Sequence, residues 1–122
     1  MTREVIDRGA READDGHMSR TNRMIVVDCL ENLFVHKDFD AAKAALHPDF
    51  VTHSPGLPDG RDAFADAVKN SPLAGATAEI KHVVAEDDFV VVHLHVAGTA
   101  IVDILRVEDG LLVEHWDVKQ PG

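Results

Sequence analysis

Hydrophobic positions change their period once along this chain, and the change separates a helical half from a strand half. Between Ser19 and His36, the residues Met24, Val27, Leu30 and Phe34 recur at helical spacing, and Ser19 can cap the first turn, so an amphipathic helix is expected there. Asp38 or Asp40 can cap a short second helix, Ala41 to Leu46. His47-Pro48 stops it, because the residue before a proline is pushed out of the helical region. Asp49 to His53 reads as a short extended piece, and Ser54 to Gly60 as a loop rich in Pro and Gly. A third helix, about Arg61 to Asn70, would bury Phe64, Ala67 and Val68 before Ser71 to Gly75 breaks it. From there the period is two: Thr77 to Glu86, a tight turn at Asp87-Asp88, Phe89 to Ala97, Ala100 to Arg106, and Leu111 to Val118. Helices first and antiparallel strands after them define an α+β domain, with the helices laid across one face of a curved sheet. Residues 1–18 mix both signs of charge with few large apolar groups and read as a mobile or loosely helical tail, leaving residues 19–122 as one domain.

The strands carry the candidate chemistry. Glu108-Asp109-Gly110 suits a three-residue hairpin loop that pairs Val107 with Leu111. Counting back, Asp103 faces His115, with Asp117 one diagonal step away, on a face shared with Ile101, Leu105, Leu111 and Val113. If Gly98-Thr99-Ala100 is a three-residue turn as well, His95 lands opposite Asp103, and His93 shares its face. Ionisable groups among apolar neighbours are costly unless paired, and a carboxylate held that way can have its pKa moved toward catalytic work. A slip of one residue would dissolve the row. On the even-numbered positions, Val90, Val92, Leu94, Val102, Ile104, Leu112, Trp116 and Val118 form an apolar surface that so short a chain has no second layer of helices to cover. A homodimer through that surface is the expectation. Arg106 and Glu114, near the hairpin loop, read as a cross-strand ion pair of modest effect.

Composition narrows the partners. A length of 122 residues allows one core, and a formal charge of −10 argues against nucleic acid or an anionic membrane. No apolar run is long enough to cross a membrane and no signal-peptide pattern opens the chain, so a soluble, cytoplasmic protein is expected. Cys29 is the single cysteine, so no internal disulfide can form; Val26, Leu30 and Leu33 around it mark it as a buried filler.

The order of elements, together with His47-Pro48-Asp49-Phe50-Val51 to Pro55, Asp59-Gly60-Arg61, and the run from Val102-Asp103-Ile104-Leu105-Arg106 through Glu114-His115-Trp116-Asp117-Val118, resembles the SnoaL-like polyketide cyclases. These form a branch of the cone-shaped nuclear transport factor 2-like fold. The resemblance covers about Arg20 to Gln120. It implies three N-terminal helices on a curved, mainly antiparallel sheet, and an acid/base carboxylate on the last strand, matched by Asp117. The polar residue on the strand before, often His in the cyclases, is Asp103 here, so two carboxylates would share the site, raising the pKa of one and leaving a single proton between them. A further pocket residue after the first short strand falls at His53. The subgroup with this His-Trp-Asp run is described as aldol-condensing, and the resemblance brings no substrate with it.

An intramolecular aldol closure needs a base for a proton beside a carbonyl, a donor for the enolate oxygen, and a cavity that folds the substrate, with no metal or organic cofactor. The expected roles are Asp117 as base and later acid, His115 or His95 as donor or relay, and Asp103 fixing an imidazole tautomer. His53, His93 and His95 would contact a carbonyl-bearing small molecule. Trp116 falls on the opposite face. Three other readings stay open: a non-catalytic binding module, an isomerase, hydrolase or dehydratase on the same scaffold, and a His/Asp site for zinc or non-haem iron.

Overall fold

A computed structural model describes residues 8–121, with side chains from residue 18 onward. Helix α1 spans Arg8–Phe34, α2 Phe39–Ala44 and α3 Arg61–Lys69, with a 3-10 turn at Pro72–Gly75. Strands β1 to β5 are Leu46–Thr52, Ala78–Glu86, Phe89–Val96, Thr99–Glu108 and Leu111–Pro121. They form one sheet in the order β1-β5-β4-β3-β2, β1 running parallel to β5 and every other pair antiparallel. The expected α+β architecture of three helices on one curved sheet is thus the observed one. None of the described helices is long and apolar enough to cross a membrane.

The first helix begins earlier than expected. It runs through Ser19, which caps nothing, and the stretch Ala10-Arg11-Glu12-Ala13 that leads into it consists of strong helix formers. Part of the expected tail is therefore helical; residues 1–7 lie outside the described residues. At the other end, Lys37 adopts a left-handed conformation with φ 58°, and its Nζ donates to the carbonyls of Phe34 (2.7 Å) and Ala76 (3.1 Å). The chain then turns sharply into α2, where the Asp38 carboxylate accepts from the Ala41 N–H at 3.1 Å as the expected cap.

Apolar residues from the helices meet the inner face of the sheet. Val26, Cys29, Leu30 and Leu33 of α1 and Phe64, Ala65 and Val68 of α3 are buried, with Ala65 rather than the expected Ala67. Phe50 packs edge-on against Phe64, centroids 4.8 Å apart. Burial of a side chain that size stabilises by about 1.5–3 kcal/mol.

Two turns differ from the expected three-residue loops, and they decide which side chains face inward. Asp109-Gly110 and Ala97-Gly98 are two-residue turns with φ of 51° and 81°, and 52° and 77°. Positive φ at both positions gives the turn whose twist suits a tight hairpin. For the last hairpin, Glu108 pairs with Leu111 and Val107 with Leu112, which alone would reverse the faces. Val113 is left unpaired as a β-bulge, and beyond it Arg106 pairs with Glu114, Leu105 with His115 and Asp103 with Asp117. Leu112, rather than the expected Leu111 and Val113, is buried with His115. No bulge interrupts the preceding pair of strands, so Asp103 pairs with Val92, not with His95. The parity of β3 is accordingly the reverse of the expectation: Val90, Val92, Leu94 and Val96 are buried, and His93 and His95 lie on the outer face.

That outer face is composed differently from the expected one. Val90, Val92, Leu94 and Leu112 leave it for the core, while Val84 and Val91 join Ile104 and Trp116 in one cross-strand row. His82, His93, Val102 and Val118 make the next row, with the Nδ1 atoms of the two histidines 3.0 Å apart. Val84 and Val118 are more than 60% exposed (62% and 65%).

Candidate functional site

Because the bulge keeps β5 in phase with β4, Asp103, His115 and Asp117 point into the space between sheet and helices. Asp103 and His115 are each 6% exposed. The hollow they border is lined otherwise almost wholly by apolar side chains, among them Leu33, Phe50, Phe64, Leu94 and Leu105, and its cavity volume is about 50 Å³. Phe50 and Phe64 wall the imidazole of His115, with centroids 6.4 and 5.9 Å from it.

Buried polar groups need partners, and two residues the sequence reading did not single out supply them. Thr52 and Ser54 come from the end of β1 and the loop after it. His115 Nε2 lies 2.9 Å from Asp103 Oδ1, and His115 Nδ1 lies 2.8 Å from Thr52 Oγ1. Thr52 Oγ1 also accepts the Ser54 N–H at 3.2 Å. One arrangement of protons leaves no donor idle. The Thr52 hydroxyl donates to Nδ1, and the proton of a neutral imidazole sits on Nε2 and donates to the Asp103 carboxylate. Asp117 is held separately: Ser54 Oγ donates to its Oδ2 at 2.8 Å, and Lys119 Nζ stands 3.8 Å from the same oxygen. Its Oδ1 has no hydrogen bond among the described residues.

The loop that presents Ser54 is folded back by Asp59, whose Oδ1 accepts the Thr52 N–H at 2.8 Å, and by the Gly60 N–H, which donates to Phe50 O at 2.6 Å. Gly60 has φ 91°, open to glycine and strained for other residues. Thr52 shares its parity with the buried Leu46 and Phe50, and that alternation is the sequence signal that marks it as inward.

By the same parity His53 faces out. Its ring stacks on Trp116 with centroids 5.0 Å apart, and its Nε2 lies 2.7 Å from Glu114 Oε2. That bond, with help from Arg106, holds the Glu114 carboxyl below its ordinary range. Of the six expected site residues, the structure brings Asp103, His115 and Asp117 together. It places His53, His93 and His95 on the outer face, away from the hollow, so their expected contact with a pocket ligand is corrected. Cys29 borders the hollow, but burial pushes its thiol up to about 12, so it remains a protonated filler.

One ligand atom from each of Asp103, His115 and Asp117 can be chosen so that all lie within 4.8 Å of one another. Among the described residues this is the cluster whose donors could hold a divalent metal, although the imidazole nitrogen nearest the carboxylates is already engaged by Asp103.

The model of the SnoaL-like domain matches residues 26–115, from the last part of α1 to the first half of β5. The chain belongs to that family. Among solved structures, this SnoaL-like domain is similar to an NTF-2 like protein of unknown function from Burkholderia xenovorans (15% identity, 84% of this chain and 85% of that one, TM-score 0.76). It is also similar to a putative ketosteroid isomerase from Kribbella flavida (17%, 85% and 81%, TM-score 0.72) and to IdmH, a putative polyketide cyclase from Streptomyces antibioticus (18%, 81% and 91%, TM-score 0.68). Identities this low establish the nuclear transport factor 2-like fold alone. No curated protein matches the chain by sequence.

Proposed function

We propose that this SnoaL-like domain is an enzyme that moves protons on a carbonyl-bearing small molecule without a cofactor, with intramolecular aldol condensation as the leading case. The observation that carries the reading is the gathering of Asp103, His115 and Asp117 at one end of an otherwise apolar hollow. Asp117 is the base: Ser54 fixes one oxygen, and the other is open to a C–H beside a carbonyl. Breaking that bond moves the proton to Asp117 and the electron pair to the carbonyl oxygen. The resulting enolate carbon attacks a second carbonyl of the same molecule, and Asp117 returns its proton to the new alkoxide. Asp103, His115 and Thr52 hold the wall beside it in one tautomer. The names of neighbours from Streptomyces and Kribbella are compatible with this chemistry.

The test is hydrogen–deuterium exchange at the α-carbons of 2-tetralone, an apolar ketone, followed by NMR in D₂O. Exchange faster than buffer alone, reduced about 100-fold or more by Asp117→Asn with 2-tetralone still bound, is the expected result. Binding with exchange only at the buffer rate would instead establish the non-catalytic binding module.

The reading includes assembly. The outer row of Val84, Val91, Ile104 and Trp116 is apolar, has no helix over it among the described residues, and would be covered by a second copy of the chain.

A further inference from the structure

Once the donors of the described residues around the hollow are accounted for, one cation among them is left with no hydrogen bond. The Ser54 hydroxyl donates to Asp117 and its N–H to Thr52; the Thr52 hydroxyl and the His115 Nε2–H are committed to His115 and Asp103. Both imidazole nitrogens are therefore occupied, and His115 cannot stabilise a substrate oxygen without giving up a buried bond. Lys119 is the cationic residue bordering the hollow. It pairs with Ile101 in the register that turns Asp117 inward, and its side chain is 45% exposed. Its ammonium carries three N–H donors, and its nearest anion, Asp117 Oδ2 at 3.8 Å, is beyond hydrogen-bond distance. Lys43 and Arg61, cations of α2 and α3, do not line this hollow; Lys43 stands 3.7 and 3.5 Å from Asp62 and Asp66, and Arg61 3.6 Å from Asp62.

We infer that Lys119 is the anion anchor of this pocket, and that the ligand is an apolar body carrying one anionic oxygen or one that becomes anionic. This rests on the hollow being a ligand site, and deepens the proposed reaction. With two carboxylates in the wall and a net charge of −10, an anionic oxygen would be repelled without a local cation. During proton abstraction the negative charge leaves Asp117 and appears on the substrate oxygen, both within reach of the same ammonium. Lys119 follows the charge from base to enolate, an interaction stronger in the transition state than before it.

Octanoate and 1-octanol, which share an eight-carbon chain and differ in charge, test this by titration into ¹⁵N-labelled protein. Both are expected to shift the amide signals of Asp103, His115 and Asp117. Lys119→Met should weaken octanoate about tenfold or more while 1-octanol changes less than about twofold, and Lys119→Arg should retain octanoate. Lys119 is half exposed, so the variants keep the fold, and the same spectra verify it. If octanoate still perturbs the pocket amides with unchanged affinity in Lys119→Met, or both probes weaken equally, the anchor is overturned and the ligand site stands. If neither probe shifts those amides, the ligand site falls as well.

Discussion

Asp103 and Asp117 stand directly opposite one another on β4 and β5, and each has a different partner: Asp103 the Nε2 of His115, Asp117 the hydroxyl of Ser54. Two like charges on neighbouring strands repel. The split lets one carboxylate serve the imidazole and leaves the other with an unclaimed oxygen toward the hollow. The division depends on Thr52 and Ser54, delivered by the only parallel strand of the sheet among the described residues.

Thr52→Val tests that dependence. The change keeps the shape but leaves His115 Nδ1 and the Ser54 N–H buried without their partner, at a cost of about 1–3 kcal/mol. A fall in melting temperature of roughly 4 °C per kcal/mol is expected by circular dichroism, with Thr52→Ser restoring most of it. An unchanged melting temperature in Thr52→Val would remove the hydroxyl from the network.

The inward placement of His115 was legible in the sequence for a reason that was half wrong. A three-residue loop before β5 was expected; the chain instead makes a two-residue turn at Asp109-Gly110 and takes up the remaining residue at Val113, so the parity survives. Asp-Gly is itself the strongest short signal for the tighter turn. In β3 no bulge compensated, and counting from the turn overrode a plainer indication: four aliphatic residues at even positions against Phe, Val and two His at odd ones. The polarity of β3 points His93 and His95 outward, where the structure has them, whereas the turn count points them inward. Helix order, α+β class and the third helix could be read because their periods are long and unambiguous. Ser54 could not, because a loop residue has no parity to read.

Because Val113 has no partner on β4, its deletion should make β5 regular without turning His115 or Asp117 outward. The variant is expected to fold and to retain 2-tetralone binding within a few-fold. Loss of binding in a protein that still melts cooperatively would mean that the bulge itself shapes the hollow.

On the outer face, Glu114 supplies a pH dependence whose sign is fixed. His53 first, then Arg106, lowers its folded carboxyl range below that of the unfolded chain. Its stabilisation is therefore complete above the ordinary carboxylate range and disappears as pH falls through the lowered one. Glu114→Gln should cost a small amount of stability in urea at neutral pH, small because these groups meet water, and that cost should vanish once acid protonates the carboxylate in the folded chain. A penalty that persists in acid would have to come from packing against Arg106 rather than from charge.

Ile104 lies in the middle of the apolar outer row, paired with Val91 on one side and Trp116 on the other, while Val84 at the end of that row and Val118 in the next one are well exposed. If a second copy covers this surface, the twofold arrangement sets the same strip against itself, and a charge placed at its centre meets its own image across the interface. Ile104→Glu should then convert a dimer in sedimentation velocity into a monomer that still unfolds cooperatively, because the side chain faces away from the core. The hollow opens on the opposite side of the sheet, so 2-tetralone binding should change little. A wild-type protein that sediments as a monomer at micromolar concentration would refute the interface, and the apolar row would then require another partner.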